Sequence, residues 1–124
     1  MENPQSILVL DDEVGITRLT SAMLKMHKYD VIVFNNPIEA LKETQESSIS
    51  VAIVDFMMPE MSGNEFLKSF KKTHPKTPCI MLSAKKLSES ERKELFELKV
   101  NFLSKPFKPR ELLDAVSLAL SKGS

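Results

Sequence analysis

Four apolar runs in this chain end in residues able to handle a cation and a phosphoryl group. Ile7-Leu8-Val9-Leu10 precedes Asp11-Asp12, and Val51-Ala52-Ile53-Val54 precedes Asp55. Cys79-Ile80-Met81-Leu82 precedes Ser83, and Phe102-Leu103 precedes Ser104-Lys105-Pro106. Parallel strands would bring these ends to one edge. Three carboxylates in one cleft repel one another unless a cation neutralises them. Oxygen-only donors select a hard ion, and Mg²⁺, which shares its ligands with phosphate and water, is the natural choice. Lys105 would supply a point charge for a phosphate oxygen, and Ser83 a hydroxyl donor. In phosphoryl transfer the protein's work is positioning and charge neutralisation. Asp55 suits the nucleophile, forming an aspartyl-phosphate.

The elements that must position these residues alternate along the chain. Strands are expected at Ser6–Leu10, Val31–Phe34, Val51–Val54, Pro78–Leu82 and Asn101–Leu103. Between them lie segments of helical period. The first runs from about Val14 to His27, with an expected apolar face of Ile16, Leu19, Met23 and Met26. Asn36-Pro37-Ile38-Glu39 opens the second, expected to reach about Glu46. Ser62-Gly63-Asn64-Glu65 opens the third as a capping box, with Phe66, Leu67 and Phe70 behind it. Ser88-Glu89-Ser90-Glu91 opens the fourth, ending near Leu98. Pro109 starts the fifth, whose expected buried stripe is Leu112, Leu113, Val116 and Leu120. This alternation implies an α/β sheet covered on both faces. The near-continuous apolar strands favour parallel pairing. Right-handed crossovers then put every strand's C-terminal end on the edge where such sheets bind ligands.

The 124 residues suit one domain, spanning 1–124, with 42% hydrophobic and 27% charged side chains. Seventeen basic and 17 acidic side chains cancel, so bulk charge supports neither nucleic-acid nor membrane binding. There is no apolar run of transmembrane length, and Met1-Glu2-Asn3-Pro4 does not open a signal peptide. A cytoplasmic setting is expected. The lone Cys79, inside an apolar run, reads as a small buried hydrophobe. Lys68, Lys71, Lys72, His74 and Lys76 read as a solvated helix end. His27 and His74 have no metal-ligand spacing, and the seven Met residues read chiefly as core filler.

The four strand-end groups together resemble, from end to end, the receiver domain of two-component response regulators. The matching residues are Asp11-Asp12, the stretch from Asp55 through Met57, Met58, Pro59 and Glu60 to Gly63, Ser83-Ala84 and Lys105-Pro106-Phe107. The resemblance implies a flavodoxin-like (βα)5 fold, a doubly wound parallel five-stranded sheet of order 2-1-3-4-5. It implies Asp55 as phosphoacceptor. Asp12, Asp55 and the backbone carbonyl of Met57 would bind Mg²⁺, with Asp11 acting indirectly. The Lys105 ammonium would pair with the phosphoryl group, and the Lys105–Pro106 peptide bond would be cis. Ser83 and Phe102 would form the switch, read out on the surface of the fourth helix, fifth strand and fifth helix. The implied partners are a sensor histidine kinase or phosphotransfer protein, an output partner or fused output domain, and a second copy through that same surface.

Some positions depart from the family pattern. Phe102 lacks the hydroxyl of the commoner Tyr and, by itself, reads as ordinary core. Leu98-Lys99-Val100-Asn101 lacks the usual glycine, leaving Asn101 as the residue suited to a left-handed helix end. Met57 and Lys85 occupy positions that influence hydrolysis of the phosphoryl group, and slow autodephosphorylation is expected. Two rival readings are a phosphorylation-independent pseudo-receiver and a Mg²⁺-dependent phosphohydrolase with an Asp nucleophile. Past the last helix, Ser121-Lys122-Gly123-Ser124 carries no output domain. A stand-alone regulator and the receiver of a longer protein are both compatible with that.

Overall fold

The computed structural model describes residues 5–123. Strands β1 (Ser6–Leu10), β2 (Asp30–Phe34), β3 (Val51–Asp55), β4 (Cys79–Ser83) and β5 (Asn101–Ser104) alternate with five helices. These are α1 (Val14–Met26), α2 (Pro37–Glu43), α3 (Gly63–Thr73), α4 (Glu89–Glu97) and α5 (Pro109–Gly123). All four strand pairings are parallel, and the order is β2-β1-β3-β4-β5. The expected flavodoxin-like topology is therefore the observed one.

The central strands are apolar at nearly every position because both of their faces are covered. Successive side chains of a strand point to opposite faces. Leu8, Leu10, Ala52, Val54 and Met81 accordingly share one core with Phe66, Leu67 and Phe70 of α3. Ile7, Val9, Val51, Ile53, Ile80 and Leu82 share the other with Met23 and Leu24 of α1 and Leu112, Val116 and Ala119 of α5. Burying a Leu- or Phe-sized side chain contributes about 1.5–3 kcal/mol, so these two layers fix the strand ends in place.

Four expectations about the helices are corrected. Helix α5 runs to Gly123, so Ser121, Lys122 and Gly123 lie within the last helix rather than past it. The buried face of α1 is Thr17, Thr20, Ser21, Met23 and Leu24, whereas Leu19 is 61% and Met26 81% exposed. Helix α2 stops at Glu43 rather than near Glu46. There the Thr44 hydroxyl donates to the Ala40 carbonyl at 2.7 Å, and Ser47 N–H closes a turn onto Thr44. The left-handed residue after α4 is Lys99, at φ 58°, while Asn101 already belongs to β5. Lys99 N–H donates to Phe96 O and Val100 N–H to Leu95 O, the paired bonds of a Schellman cap. Those bonds place the left-handed turn two residues before Asn101. Phe102 is also corrected: its ring is 42% exposed on the edge strand rather than packed in the core.

The helix starts at α3 and α4 are reciprocal capping boxes, Ser62 with Glu65 and Ser88 with Glu91. Asn36 caps α2 by accepting from the N–H groups of Ile38 and Glu39.

Candidate functional site

The β1–α1 turn carries Asp11 fully buried and Asp12 exposed, and β3 ends on the buried Asp55. One carboxylate oxygen from each lies within 4.8 Å of the others. Parallel β1–β3 pairing, Leu10 opposite Val54, is what brings these acids together. Three hydrogen bonds hold the turn. Asn35 Nδ2 donates to the Asp11 carbonyl at 2.8 Å and to Thr17 Oγ1 at 3.1 Å, and Glu13 N–H donates to Asp11 Oδ1 at 3.0 Å.

Lys105 directly follows β5. Its Nζ lies 2.8 Å from Asp11 Oδ2, 3.1 Å from Asp55 Oδ1 and 3.5 Å from Glu13 Oε1. The Lys105–Pro106 peptide bond is cis, and Lys105 N–H donates to Ser83 O at 2.8 Å. Ser83 is turned toward its own loop: its Oγ accepts from Lys85 N–H and donates to Lys85 O, both at 3.0 Å. The Lys85 ammonium is engaged by Glu91 at 3.0 Å and lies over the Phe56 ring. Met57 is 60% exposed and, with Asp12, Asp55, Ser83, Ala84, Lys85 and Lys105, lines an open cleft of about 490 Å³.

Burial and the neighbouring Asp11 charge push the Asp55 carboxyl up from 3.8 to about 6, and Lys105 only partly offsets them. Burial opposes the charge on Lys105, yet its hydrogen bond to Asp11 and the charges of Asp11 and Asp55 hold its pKa above the ordinary value. The shortest Lys105 contact is to Asp11, so the ammonium favours Asp11 and under-compensates Asp55. Three carboxylates against one ammonium, all with oxygen donors, fit a hard divalent cation.

Glu13 and Asn35 were not singled out from sequence. Glu13 simply extends the Asp11-Asp12 run. An Asn after a strand reads as a turn residue, and only the fold reveals what its amide holds. His27 and His74 cap the C-terminal ends of α1 and α3, at the sheet edge opposite the carboxylates. Cys79 is buried, and burial pushes its thiol up to about 11.

The fold and this carboxylate–lysine cleft define a class of phosphorylated signalling domains. Residues 7–117 match the response regulator receiver domain family, and the chain belongs to that family. Phosphorylation by a kinase is the standard function of its members. The transcriptional regulatory protein CpxR of Escherichia coli K12 is 37% identical over 117 residues, covering 94% of this chain and 49% of CpxR. SrrA of Staphylococcus aureus, also a transcriptional regulatory protein, is 34% identical over 94% of this chain and 48% of its own length. The chain thus spans about half the length of the curated relatives it matches. Among solved structures, chemotaxis protein CheY4 of Vibrio cholerae superposes with a TM-score of 0.88 at 30% identity, covering 95% of this chain and all of CheY4. A receiver domain from Methanospirillum hungatei superposes at 0.92 over 98% of this chain and 97% of its own; at 24% identity that likeness is one of fold. Among the described residues no helix is long and apolar enough to cross a membrane.

Proposed function

We propose that the protein is a phosphorylation switch whose acceptor is Asp55. The observation that carries this reading is a buried Asp55 flanked by two further carboxylates and held 3.1 Å from the Lys105 ammonium. A phosphohistidine on a sensor kinase or phosphotransfer protein is the donor. An Asp55 oxygen attacks phosphorus, the N–P bond breaks, and the imidazole leaves. Asp12, Asp55 and the Met57 carbonyl, with Asp11 acting indirectly, would hold Mg²⁺, which would supply neutralising charge to the phosphoryl oxygens.

The protein's own groups complete the switch. Lys105 transfers part of its pairing from carboxylate to phosphoryl oxygen. Ser83 breaks its bonds to the Lys85 backbone and donates to the phosphoryl group. A cavity of about 560 Å³, lined by Ser83, Leu87, Leu95, Phe96 and Phe102, gives the Phe102 ring room to turn inward. The readout is the α4–β5–α5 surface, presented to an output partner, to a fused output domain or to a second copy. This is a population shift, driven by contacts that only the inward packing makes with the phosphoryl group.

Met57 has no proton to give a leaving group, which favours a switch over a turnover enzyme. Met57 crowds the path of attacking water, so autodephosphorylation is slow, and a phosphoprotein half-life of seconds would exclude that. The domain, residues 1–124, works in the cytoplasm without contacting nucleic acid or membrane itself. Beryllofluoride with Mg²⁺, observed by ¹⁵N NMR, tests the switch. Shifts at Ser83, Lys105 and Phe102, absent in Asp55→Ala, support it. An unchanged spectrum in the wild-type protein sinks it.

A further inference from the structure

The sheet edge opposite the carboxylates has the reverse character. Between the α3–β4 turn, the C-terminal end of α4 and α5 lies a groove of about 720 Å³. Its apolar lining includes Pro78, Val100 and Ala119, with the 83% exposed ring of Phe96 at one end. Three lysines line it, Lys71, Lys76 and Lys99, and no carboxylate does. The groove continues past Lys76, Thr77 and Pro78 into a second depression of about 250 Å³ that reaches Gln5 and Leu120, again without an acid. In a chain of zero formal charge this local excess of cations is a property of the fold.

The lysines are placed, not merely present. Lys71 Nζ donates to the Thr77 carbonyl at 3.2 Å, which sets its ammonium against the groove wall with two protons to spare. Lys99 occupies the left-handed position of the α4 cap, so its backbone is fixed by the two Schellman bonds. An exposed Phe beside spaced ammonium groups over an apolar floor suits a ligand with apolar side chains and several carboxylates. Two adjoining depressions that share Lys76, Thr77 and Pro78 suit a chain segment better than a compact ion.

We propose that this groove docks an acidic peptide segment of a partner protein, with apolar side chains over Pro78 and Phe96 and carboxylates on Lys71, Lys76 and Lys99. Phe96, Asn101 and Ala119 belong to the α4–β5–α5 surface, so the inference rests on that surface being the readout and adds the chemistry of its partner. The groove lies away from Asp55, and peptide binding is read separately from phosphorylation.

The test is ¹⁵N NMR of the whole chain titrated with an acetylated peptide of alternating Glu and Leu. The controls are the same peptide with Gln for Glu and a single-stranded oligothymidylate. Expected are shifts confined to the amides of Lys76, Thr77, Phe96, Lys99 and Asn101, weaker at high salt and lost with the Gln peptide. Exchanging two exposed charge partners weakens binding roughly ten-fold, so Lys76→Glu with Lys99→Gly should do so. Lys99→Gly keeps the left-handed turn. Neither lysine belongs to the phosphoacceptor cleft, so labelling by acetyl phosphate should be unchanged in the double variant. No shift at millimolar peptide overturns the proposal, as does equal binding of the Gln peptide. Tighter binding of the oligothymidylate replaces it with a nucleic-acid site.

Discussion

Asp55 combines burial with an uncompensated neighbour, and this makes the metal-free site a source of instability. Its pKa of about 6 in the folded protein lies above the ordinary 3.8, so the folded state holds the proton more tightly. Stability from this group is therefore fully present at low pH and is lost as pH rises from about 4 through 6. Without Mg²⁺, Asp55→Asn should stabilise the protein at pH 8 by about 1–3 kcal/mol and flatten the slope between pH 4 and 6. Urea denaturation at several pH values checks this, and an unchanged slope would contradict it. Gly63 is a second informative residue. A Cβ there would lie 2.6 Å from the Asp55 carbonyl oxygen and 2.7 Å from Met81 Sδ. The first atom is backbone directly beneath the acceptor. Gly63→Ala should cost about 1–3 kcal/mol by overpacking, measured as a lower denaturation midpoint, and should slow phosphoryl acceptance by moving Asp55. Cys79, with its raised pKa inside the core, should resist iodoacetamide at pH 8 until the protein is denatured.

At the scale of elements, the sequence was most informative where one force dominated. The apolar strands, the α3 and α4 capping boxes and the Asn36-Pro37 helix start each satisfy a local rule, and each lies where expected. Helix α1 misled because hydroxyls took the buried positions. Thr17 is acceptable there since its Oγ1 donates to Val14 O and accepts from Asn35, partners that hydropathy does not register. Lys28 and Lys99 were hidden for a related reason: only the backbone bonds of the finished caps impose φ values of 67° and 58° on them. A non-glycine residue in this conformation costs about 1–2 kcal/mol. Lys99→Gly, and independently Lys28→Gly, should each raise stability by about 0.5–1 kcal/mol after the entropy cost of glycine, seen as a higher thermal midpoint.

At the scale of the whole molecule, topology converts scattered sequence signals into a site. Asp11, Asp12, Asp55, Ser83 and Lys105 were legible because each follows an apolar run and parallel pairing sends all strand ends one way. Their mutual distances, the turning of Ser83 toward Lys85, and the roles of Asn35 and Glu13 depend on register and side-chain packing, which composition does not encode. The same topology separates an acidic edge from a lysine-bearing one. Binding of a cation to the folded acidic edge alone should raise the thermal midpoint as Mg²⁺ is added. Asp12→Ala should blunt that rise.

The central claim, Asp55 as Mg²⁺-dependent phosphoacceptor, is tested most directly by intact mass after incubation with acetyl phosphate, with and without Mg²⁺, beside Asp55→Ala. The account predicts a single phosphoryl adduct that requires Mg²⁺ and is absent from the variant. No adduct on the wild-type protein, from acetyl phosphate and from a cognate kinase alike, would contradict it and leave a pseudo-receiver.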